Sequence, residues 1–217
     1  NPELSDAFEV GAKVQTLDRK LSLNAALFYT KYRGYQSQAR LPGDISFYLL
    51  NAGTVSTRGI EVEATLKPTR LLDISLGGTW ADAKIDDFPI GPCYVGQTAA
   101  QGCVGGSQDL KGGALPNAPD FRGTFYVRQT VPFGDSAPVD GFIQSNVVYQ
   151  TKVQYSLDQD PRTIQDGYAV VNAAVGLEAK DGAYSVSVFV KNLFDKNFTG
   201  NLFTSTSNGG RLYQQVL

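Results

Sequence analysis

The chain has 217 residues, of which 42% are hydrophobic, and a formal net charge of -2 at pH 7. This charge gives no electrostatic support for nucleic-acid binding. The absence of histidine excludes Ser-His-Asp and Cys-His nucleophile systems and removes the commonest zinc ligand. No apolar run approaches the roughly 20 residues of a transmembrane helix.

Apolar and polar residues alternate one by one through most of the chain, which is typical of strands with one apolar and one polar face. The clearest case is residues 54–67, where Ile60 and Val62 alternate with Glu61 and Glu63. The alternation predicts strands at 6–17, 20–36, 54–67, 72–85, 121–131, 143–154, 169–178 and 184–191, and a ninth that begins at Arg211. Several exceed the usual length of about 5–6 residues and suit tilted strands that cross a bilayer.

The connections between these segments alternate in length. They are short at 18–19, 68–70, 133–140 and 181–183, and long at 37–53, 86–117, 156–166 and 195–209. Pro68 is expected to end strand pairing. Aromatic residues near the strand ends suggest interfacial girdles: Tyr29, Trp80, Phe121, Tyr149, Tyr168 and Tyr184. Short turns on one side and long loops on the other predict an all-β, antiparallel transmembrane β-barrel rather than a soluble sandwich.

The only cysteines, Cys93 and Cys103, lie in a glycine-rich stretch of the longest loop. Their spacing favours a local disulfide, and the alternative of a two-thiolate metal site lacks other soft ligands nearby. The carboxylates Asp86 and Asp87 do not have the spacing of a calcium loop. The sequence therefore predicts no metal site and no cofactor.

Four stretches resemble the C-terminal half of TonB-dependent outer-membrane receptors: NPELSDAFEVGAKV (Asn1–Val14), LNAALFYTKYRGYQ (Leu23–Gln36), NAGTVSTRGIEVEATLKP (Asn51–Pro68) and VKNLFDKNF (Val190–Phe198). The resemblance implies a multi-pass barrel of about 22 strands in a bacterial outer membrane, filled by an N-terminal plug domain. About nine strands cannot close such a barrel, and an open edge in lipid leaves backbone groups unpaired. Residues 1–217 are therefore expected to be the C-terminal part of a barrel domain whose plug and final strand lie outside this chain.

Two sets of residues are candidates for function. Charged residues expected to face the lumen are Arg58, Glu61, Glu63, Arg122, Arg128 and Lys152. Of these, Glu61, Glu63, Arg122 and Arg128 are candidates for docking the plug, and the alternative is that water solvates them. Binding residues concentrate on loops held by a rigid scaffold, so the loop 86–117 is the candidate substrate loop, with Asp86, Asp87, Tyr94 and Gln97 as its contacts.

The resemblance implies an active-transport receptor and not an enzyme. A ferric siderophore is the first expected substrate class, ahead of cobalamin, oligosaccharides and other metal chelates. Its expected partners are outer-membrane lipid, TonB acting through the plug, and the small-molecule ligand. Two other functions stay open: a passive porin, which would have no plug, and a surface adhesion or structural barrel, which would have neither a TonB-binding segment nor ligand affinity.

Overall fold

The computed structural model describes residues 2–39, 48–51, 53–205 and 209–216. Eight strands form one antiparallel sheet in which each strand pairs with the next along the chain. They are β1 (Leu4–Thr16), β2 (Leu21–Arg33), β3 (Thr54–Thr69), β4 (Leu72–Asp87), β5 (Phe121–Val131), β6 (Val139–Gln150), β7 (Tyr168–Ala179) and β8 (Ser185–Val190). The all-β, antiparallel prediction is confirmed, and the sheet is open, with β1 and β8 at its edges. Among the described residues, no helix is long and apolar enough to cross a membrane.

The strand register gathers the apolar residues on one face of the sheet. Val10, Leu27, Ile60, Trp80 and Phe121 lie directly opposite one another in a single row across β1 to β5. Many side chains of this apolar face are exposed, up to 75% for Val188. A soluble monomer rarely exposes a continuous apolar surface that extends across several strands of a sheet. The apolar face is therefore suited to contact with lipid, as the alternation predicts.

The long connections contain short hairpins of their own. Gln36–Ala39 pairs with Tyr48–Asn51, Gly91–Pro92 with Ser107–Gln108, and Val153–Gln154 with Ile164–Gln165. Two further strands, β9 (Thr199–Ser205) and β10 (Arg211–Val216), pair with each other. In the part of the chain that the structure describes, the predicted ninth strand at Arg211 is therefore one arm of this hairpin and not a member of the main sheet.

The short turns lie at the opposite end of the sheet. Leu17, Asp18 and Arg19 all have positive φ, and the Lys20 N–H donates to the Leu17 carbonyl at 3.0 Å, which closes the first turn. Pro68 does not end the pairing of β3, because Thr69 still pairs with Leu72. The register shifts between Leu66 and Thr69, and such an irregularity accommodates a residue that has no N–H to donate.

The buried core is small and lies where the strands meet the long loops. Val55 of β3 and Ile85 of β4, each 1% exposed, pack with Phe88, Leu110 and Leu157 from the loops. Partly buried side chains surround this cluster: Tyr32, Tyr35 and Leu115. Since Val55 and Ile85 lie on the polar face, the core holds the long loops against the polar face of the sheet.

Two glycines of the polar face are each covered by an aromatic ring from the neighbouring strand. Phe28 of β2 lies opposite Gly59 of β3, and Phe142 of β6 lies opposite Gly176 of β7. A Cβ at Gly59 would lie 2.7 Å from the Phe28 ring, and one at Gly176 would lie 2.6 Å from the Phe142 ring. These rings occupy the space that a side chain would otherwise fill.

Candidate functional site

The polar face forms one wall of an open cavity of about 550 Å³. Three of the residues predicted to face the lumen line it together: Glu61, Glu63 and Arg122. The opposite wall includes Leu115 and Pro116, from the segment that leads into β5. The strands therefore bring carboxylates and a guanidinium to the same concave surface, as the alternation predicts.

Backbone hydrogen bonds hold the segment that forms the opposite wall against the end of β4. The Gly112 N–H donates to the Ile85 carbonyl at 2.8 Å, and the Ile85 N–H donates to the Gly113 carbonyl at 3.0 Å. The Leu110 N–H donates to the Phe88 carbonyl at 3.0 Å. Because Ile85, Phe88 and Leu110 also belong to the buried core, this wall of the cavity is rigid.

The charged groups in the cavity are largely free to meet a partner. Glu63 accepts a hydrogen bond from the Asn24 amide at 3.3 Å. Among the described residues, neither Glu61 nor Arg122 makes an ion pair or a side-chain hydrogen bond. Glu61 and Arg122 lie in one row of the polar face, two strands apart, with Thr79 between them. Because these side chains can still form hydrogen bonds, this surface is suited to contact with another domain or with a ligand.

Arg128 lies elsewhere on the polar face and its charge is already paired. It forms an ion pair with Glu178 and donates to the Gln144 amide oxygen at 3.0 Å. Its guanidinium also lies 3.9 Å from the centre of the Phe142 ring. Arg128 does not line the cavity that contains Glu61 and Arg122. Its contacts stiffen the sheet around the Phe142–Gly176 pair.

Arg58 projects from the apolar face, so the prediction that it faces the lumen is wrong. Arg58 lies two positions before Ile60 in β3, so both side chains are on the same face of the sheet. It is directly opposite Tyr29 of β2 and Asp82 of β4. Its guanidinium forms an ion pair with Asp82 at 3.0 Å. Lys152 follows the end of β6 and lies outside the sheet. Charge alone suggested the lumen for Arg58, but the period of two decides the face.

The longest loop is closed by the predicted disulfide between Cys93 and Cys103, which are separated by 10 positions. In the chain-entropy model a bond that closes so short a loop stabilises it by about 2–3 kcal/mol. Gln97 accepts from the Tyr94 N–H at 3.0 Å and donates to Gln101 and Gln108. The Gln97 side-chain amide therefore makes its hydrogen bonds within the loop. Tyr94 is half-buried.

Asp86 and Asp87 are the last residues of β4 rather than part of the loop. Asp86 accepts a hydrogen bond from the Ser56 hydroxyl at 2.9 Å. Asp87 is exposed. A Cβ at Gly53 would lie 2.0 Å from the Asp87 carbonyl oxygen, so glycine is needed at this position, directly before β3 begins. The four substrate-loop candidates are thus distributed over a strand end and a disulfide-closed loop.

Three separate loop elements are joined by Arg162, a residue that sequence analysis did not single out. We call them together the loop block: residues 88–120, residues 151–167 and the β9–β10 hairpin. The Arg162 guanidinium donates to the Val95 carbonyl and to the Gly210 carbonyl, each at 3.1 Å. It also donates to the carboxylate of Asp160, with the shortest contact at 2.7 Å. The Asp160 side chain is completely buried.

Further hydrogen bonds reinforce the loop block. Gln108 donates to the Asp158 carbonyl at 2.8 Å, and Tyr155 donates to the Thr199 carbonyl at 2.6 Å. Burial raises the pKa of the Asp158 carboxyl, while the hydrogen bond donated by Ser156 opposes this shift. Most of these contacts join residues far apart in sequence. The one local signal was Asp160 before Pro161, a pattern typical of a helical start, and a short 3-10 turn begins there.

Comparison with known proteins gives consistent results. Residues 1–193 match the family model described as TonB dependent receptor-like, beta-barrel. The chain is similar in structure to the ferric yersiniabactin uptake receptor FyuA from Yersinia pestis, with TM-score 0.70 and 21% identity over 99% of this chain and 28% of that one. It is also similar to the siderophore receptor PiuA from Acinetobacter baumannii, with TM-score 0.68 and 19% identity over 98% of this chain and 26% of that one.

A third similar structure is the closed form of the ferric-catecholate import receptor Fiu from E. coli K12, with TM-score 0.62 and 20% identity over 99% of this chain and 26% of that one. The chain thus spans little more than a quarter of the length of these structures. They are transport receptors and not enzymes. Since the family model covers most of the chain, it confirms the resemblance predicted from the sequence. The chain belongs to the TonB-dependent receptor-like β-barrel family.

Proposed function

We propose that this chain is the C-terminal part of the barrel of an outer-membrane receptor that binds a ferric siderophore and imports it with TonB-derived energy. The barrel spans the outer membrane, with the apolar face toward lipid and the polar face toward a plug domain. The loop block faces the outside of the cell. Ligand binds there first and then passes inward when the plug rearranges.

The observation that carries this proposal is the cavity on the polar face, which has a rigid loop wall opposite the sheet. Its described lining includes Glu61 and Arg122, whose charges are unpaired within the described residues, and the aromatic side chain of Tyr35. Arg162 ties the loops above it into one block. Preorganised loops reduce the ordering cost of binding. The neighbours FyuA, PiuA and Fiu are named for iron-chelate or siderophore uptake, which supports this substrate class.

The proposal is tested by measuring uptake in cells that express the full-length receptor and lack other iron-chelate receptors. Radioactive iron is supplied as a catecholate, a hydroxamate or a mixed-type chelate, and cobalamin and a maltooligosaccharide serve as controls. We expect saturable uptake of at least one ferric chelate, and its loss when the proton gradient is collapsed or TonB is deleted. A Tyr94→Ala variant tests the disulfide-closed loop and is expected to weaken chelate binding with little change in folding.

Other outcomes separate the alternatives. Uptake that does not saturate and persists without TonB indicates a passive porin. Binding and uptake of cobalamin or the oligosaccharide alone replaces the siderophore with another substrate class. A protein that binds and imports none of these ligands contradicts the receptor proposal and favours an adhesion or structural barrel.

We further propose that Glu61, Glu63 and Arg122 dock the plug. Replacing Glu61 or Glu63 by glutamine keeps the shape and removes the charge, so each charge-assisted hydrogen bond to the plug weakens by about 1–3 kcal/mol. Hydrogen exchange of plug peptides in the full-length protein is expected to speed up in both variants. Glu9→Gln, a carboxylate of β1 outside the cavity lining, is the matched control. Unchanged plug exchange, or an equal effect of the control, contradicts plug docking.

A further inference from the structure

The polar face contains a second cavity, of about 200 Å³, which extends from β5 to β8. Its lining includes two aromatic rings, three carboxamides and one basic side chain: Tyr126, Gln144, Asn146, Asn172, Phe189 and Lys191. Tyr126 lies two positions after Thr124, which lines the cavity that contains Glu61 and Arg122. The two cavities therefore adjoin along β5, about 7 Å apart. We call the one nearer to the long loops the outer cavity and the other the inner cavity.

An aromatic ring lies on each side of the inner cavity. Phe189 of β8 is 66% exposed, although its register partner Ala174 places it on the polar face. The other two phenylalanines on the polar face of the eight strands, Phe28 and Phe142, instead cover glycines. Tyr126 of β5 lies on the far side of the carboxamides of β6 and β7. Polar groups between exposed rings are typical of a site for a small molecule that has both polar and apolar parts.

Hydrogen bonds fix the direction of two of the carboxamides. The Arg128 guanidinium donates to the Gln144 amide oxygen at 3.0 Å, and the Asn192 backbone N–H donates to the Asn172 amide oxygen at 2.9 Å. A guanidinium and a backbone N–H can only donate, so each amide oxygen faces its donor. Among the described residues, neither NH₂ group has an acceptor. Gln144 and Asn172 therefore offer hydrogen-bond donors to a ligand in the inner cavity.

Lys191 adds a third donor and a positive charge. Its Nζ lies 5.9 Å from the centre of the Phe189 ring, and it makes no ion pair within the described part of the chain. Asn146 supplies an acceptor, because its NH₂ group donates to the Phe125 carbonyl at 3.5 Å and its oxygen is left over. The free groups of the inner cavity are thus mainly donors, which bind carbonyl, hydroxamate, phenolate or carboxylate oxygens.

We propose that the inner cavity is a second binding site for the transported ferric chelate, and this proposal rests on the transport function proposed above. The donors bind oxygen atoms of the chelate, and the two rings contact its apolar part. A site for a whole drug-sized ligand has a volume of about 300–1,000 Å³, so the inner cavity takes one arm of the chelate. Two of the three donors are uncharged, and neutral hydrogen bonds are about half as strong as charge-assisted ones. The chelate is therefore held on its way inward without being trapped.

The test uses two substitutions that change the donors but keep the shape. Gln144→Glu and Asn172→Asp each replace the NH₂ group by an oxygen and keep the oxygen that Arg128 or the Asn192 N–H binds. Gln15→Glu is the matched control, because Gln15 lies on the polar face of β1 and lines neither cavity. The full-length receptor is expressed in cells, and radioactive iron is supplied as the same catecholate, hydroxamate and mixed-type chelates as above.

Two quantities are measured for each variant. Chelate binding to cells with a collapsed proton gradient reports the outer site, and we expect the same Kd in the double variant as in the wild type. The maximum uptake rate of energised cells reports passage, and we expect it to fall about tenfold in the double variant, because two hydrogen bonds to the chelate are lost. Gln15→Glu is expected to change neither quantity.

An unchanged uptake rate in the folded double variant overturns the proposal, and so does an equal loss in Gln15→Glu. Faster hydrogen exchange of plug peptides in the ligand-free double variant, with a normal uptake rate, would show that the inner cavity holds the plug instead. If the double variant does not fold, Lys191→Gln is measured, with an uptake rate about threefold lower expected and an unchanged rate contradicting the proposal. A wild type that imports no chelate contradicts the transport function itself, so the two failures are distinguished.

Discussion

Gly59→Ala is expected to destabilise the folded barrel by about 2–3 kcal/mol, although one methyl group is all that it adds. A Cβ at position 59 would lie 2.1 Å from the Trp80 carbonyl oxygen and 2.7 Å from the Phe28 ring. Since the closest atom belongs to the backbone of β4, relief requires the strands to separate and their ladder hydrogen bonds to weaken. Strand propensity alone predicts that alanine would stabilise the barrel, because glycine weakens a strand interior.

Gly78→Ala is the matched control, because Gly78 lies in the neighbouring strand and its nearest contact to a Cβ would be 3.3 Å, from the Phe121 ring. Both variants of the full-length protein are refolded into detergent from urea, and the folded fraction is read from electrophoretic mobility without heating. We expect Gly59→Ala to lose folded protein at lower urea than Gly78→Ala. Equal midpoints for the two variants would mean that the contact at Gly59 relaxes without cost.

The strands of this protein could be predicted from its sequence because their signal is local. Alternation identifies all eight strands of the sheet, and the same alternation places Glu61 and Arg122 on one face. Arg58 shows how that signal is misread when chemical type is given more weight than parity. Pro68 shows that a proline inside a long strand can be absorbed by an irregular register.

The loop block could not be predicted because its bonds join distant parts of the chain. Arg162 reaches Val95, 67 positions away, and Gly210, 48 positions away. No periodic pattern marks such partners, and each contact depends on how the strands have already placed the loop ends. The cavity wall at Leu115 has the same origin, because it requires residues 110–113 to pair with the end of β4. The sheet is thus encoded locally, whereas the surface that would meet a ligand is encoded by long-range contacts.

Arg162→Ala is expected to open the loop block while the main sheet stays folded. In this variant the fully buried Asp160 carboxylate keeps the hydrogen bond from the backbone N–H of position 162 but loses the guanidinium. The Val95 and Gly210 carbonyls also lose the guanidinium as their hydrogen-bond donor. Breaking a buried ion pair costs about 3–5 kcal/mol. Because the Arg162 side chain is 42% exposed and water can replace part of its contacts, we expect about 2–3 kcal/mol here. Hydrogen exchange of the full-length protein measures this opening locally.

Three comparisons show whether Arg162 couples the loops or supports only its own turn. Lys111→Ala removes a cation from the same block whose side chain makes no ion pair among the described residues, and it is expected to leave exchange unchanged. Arg162→Lys keeps the charge but not the planar fork, so it is expected to restore protection only in part. Faster exchange in 93–117 and 209–216 as well as in 160–163 would show coupling, and chelate binding should then weaken because the loops must be ordered on binding. Faster exchange confined to 160–163 would contradict it, since the other loops would then hold their positions without Arg162.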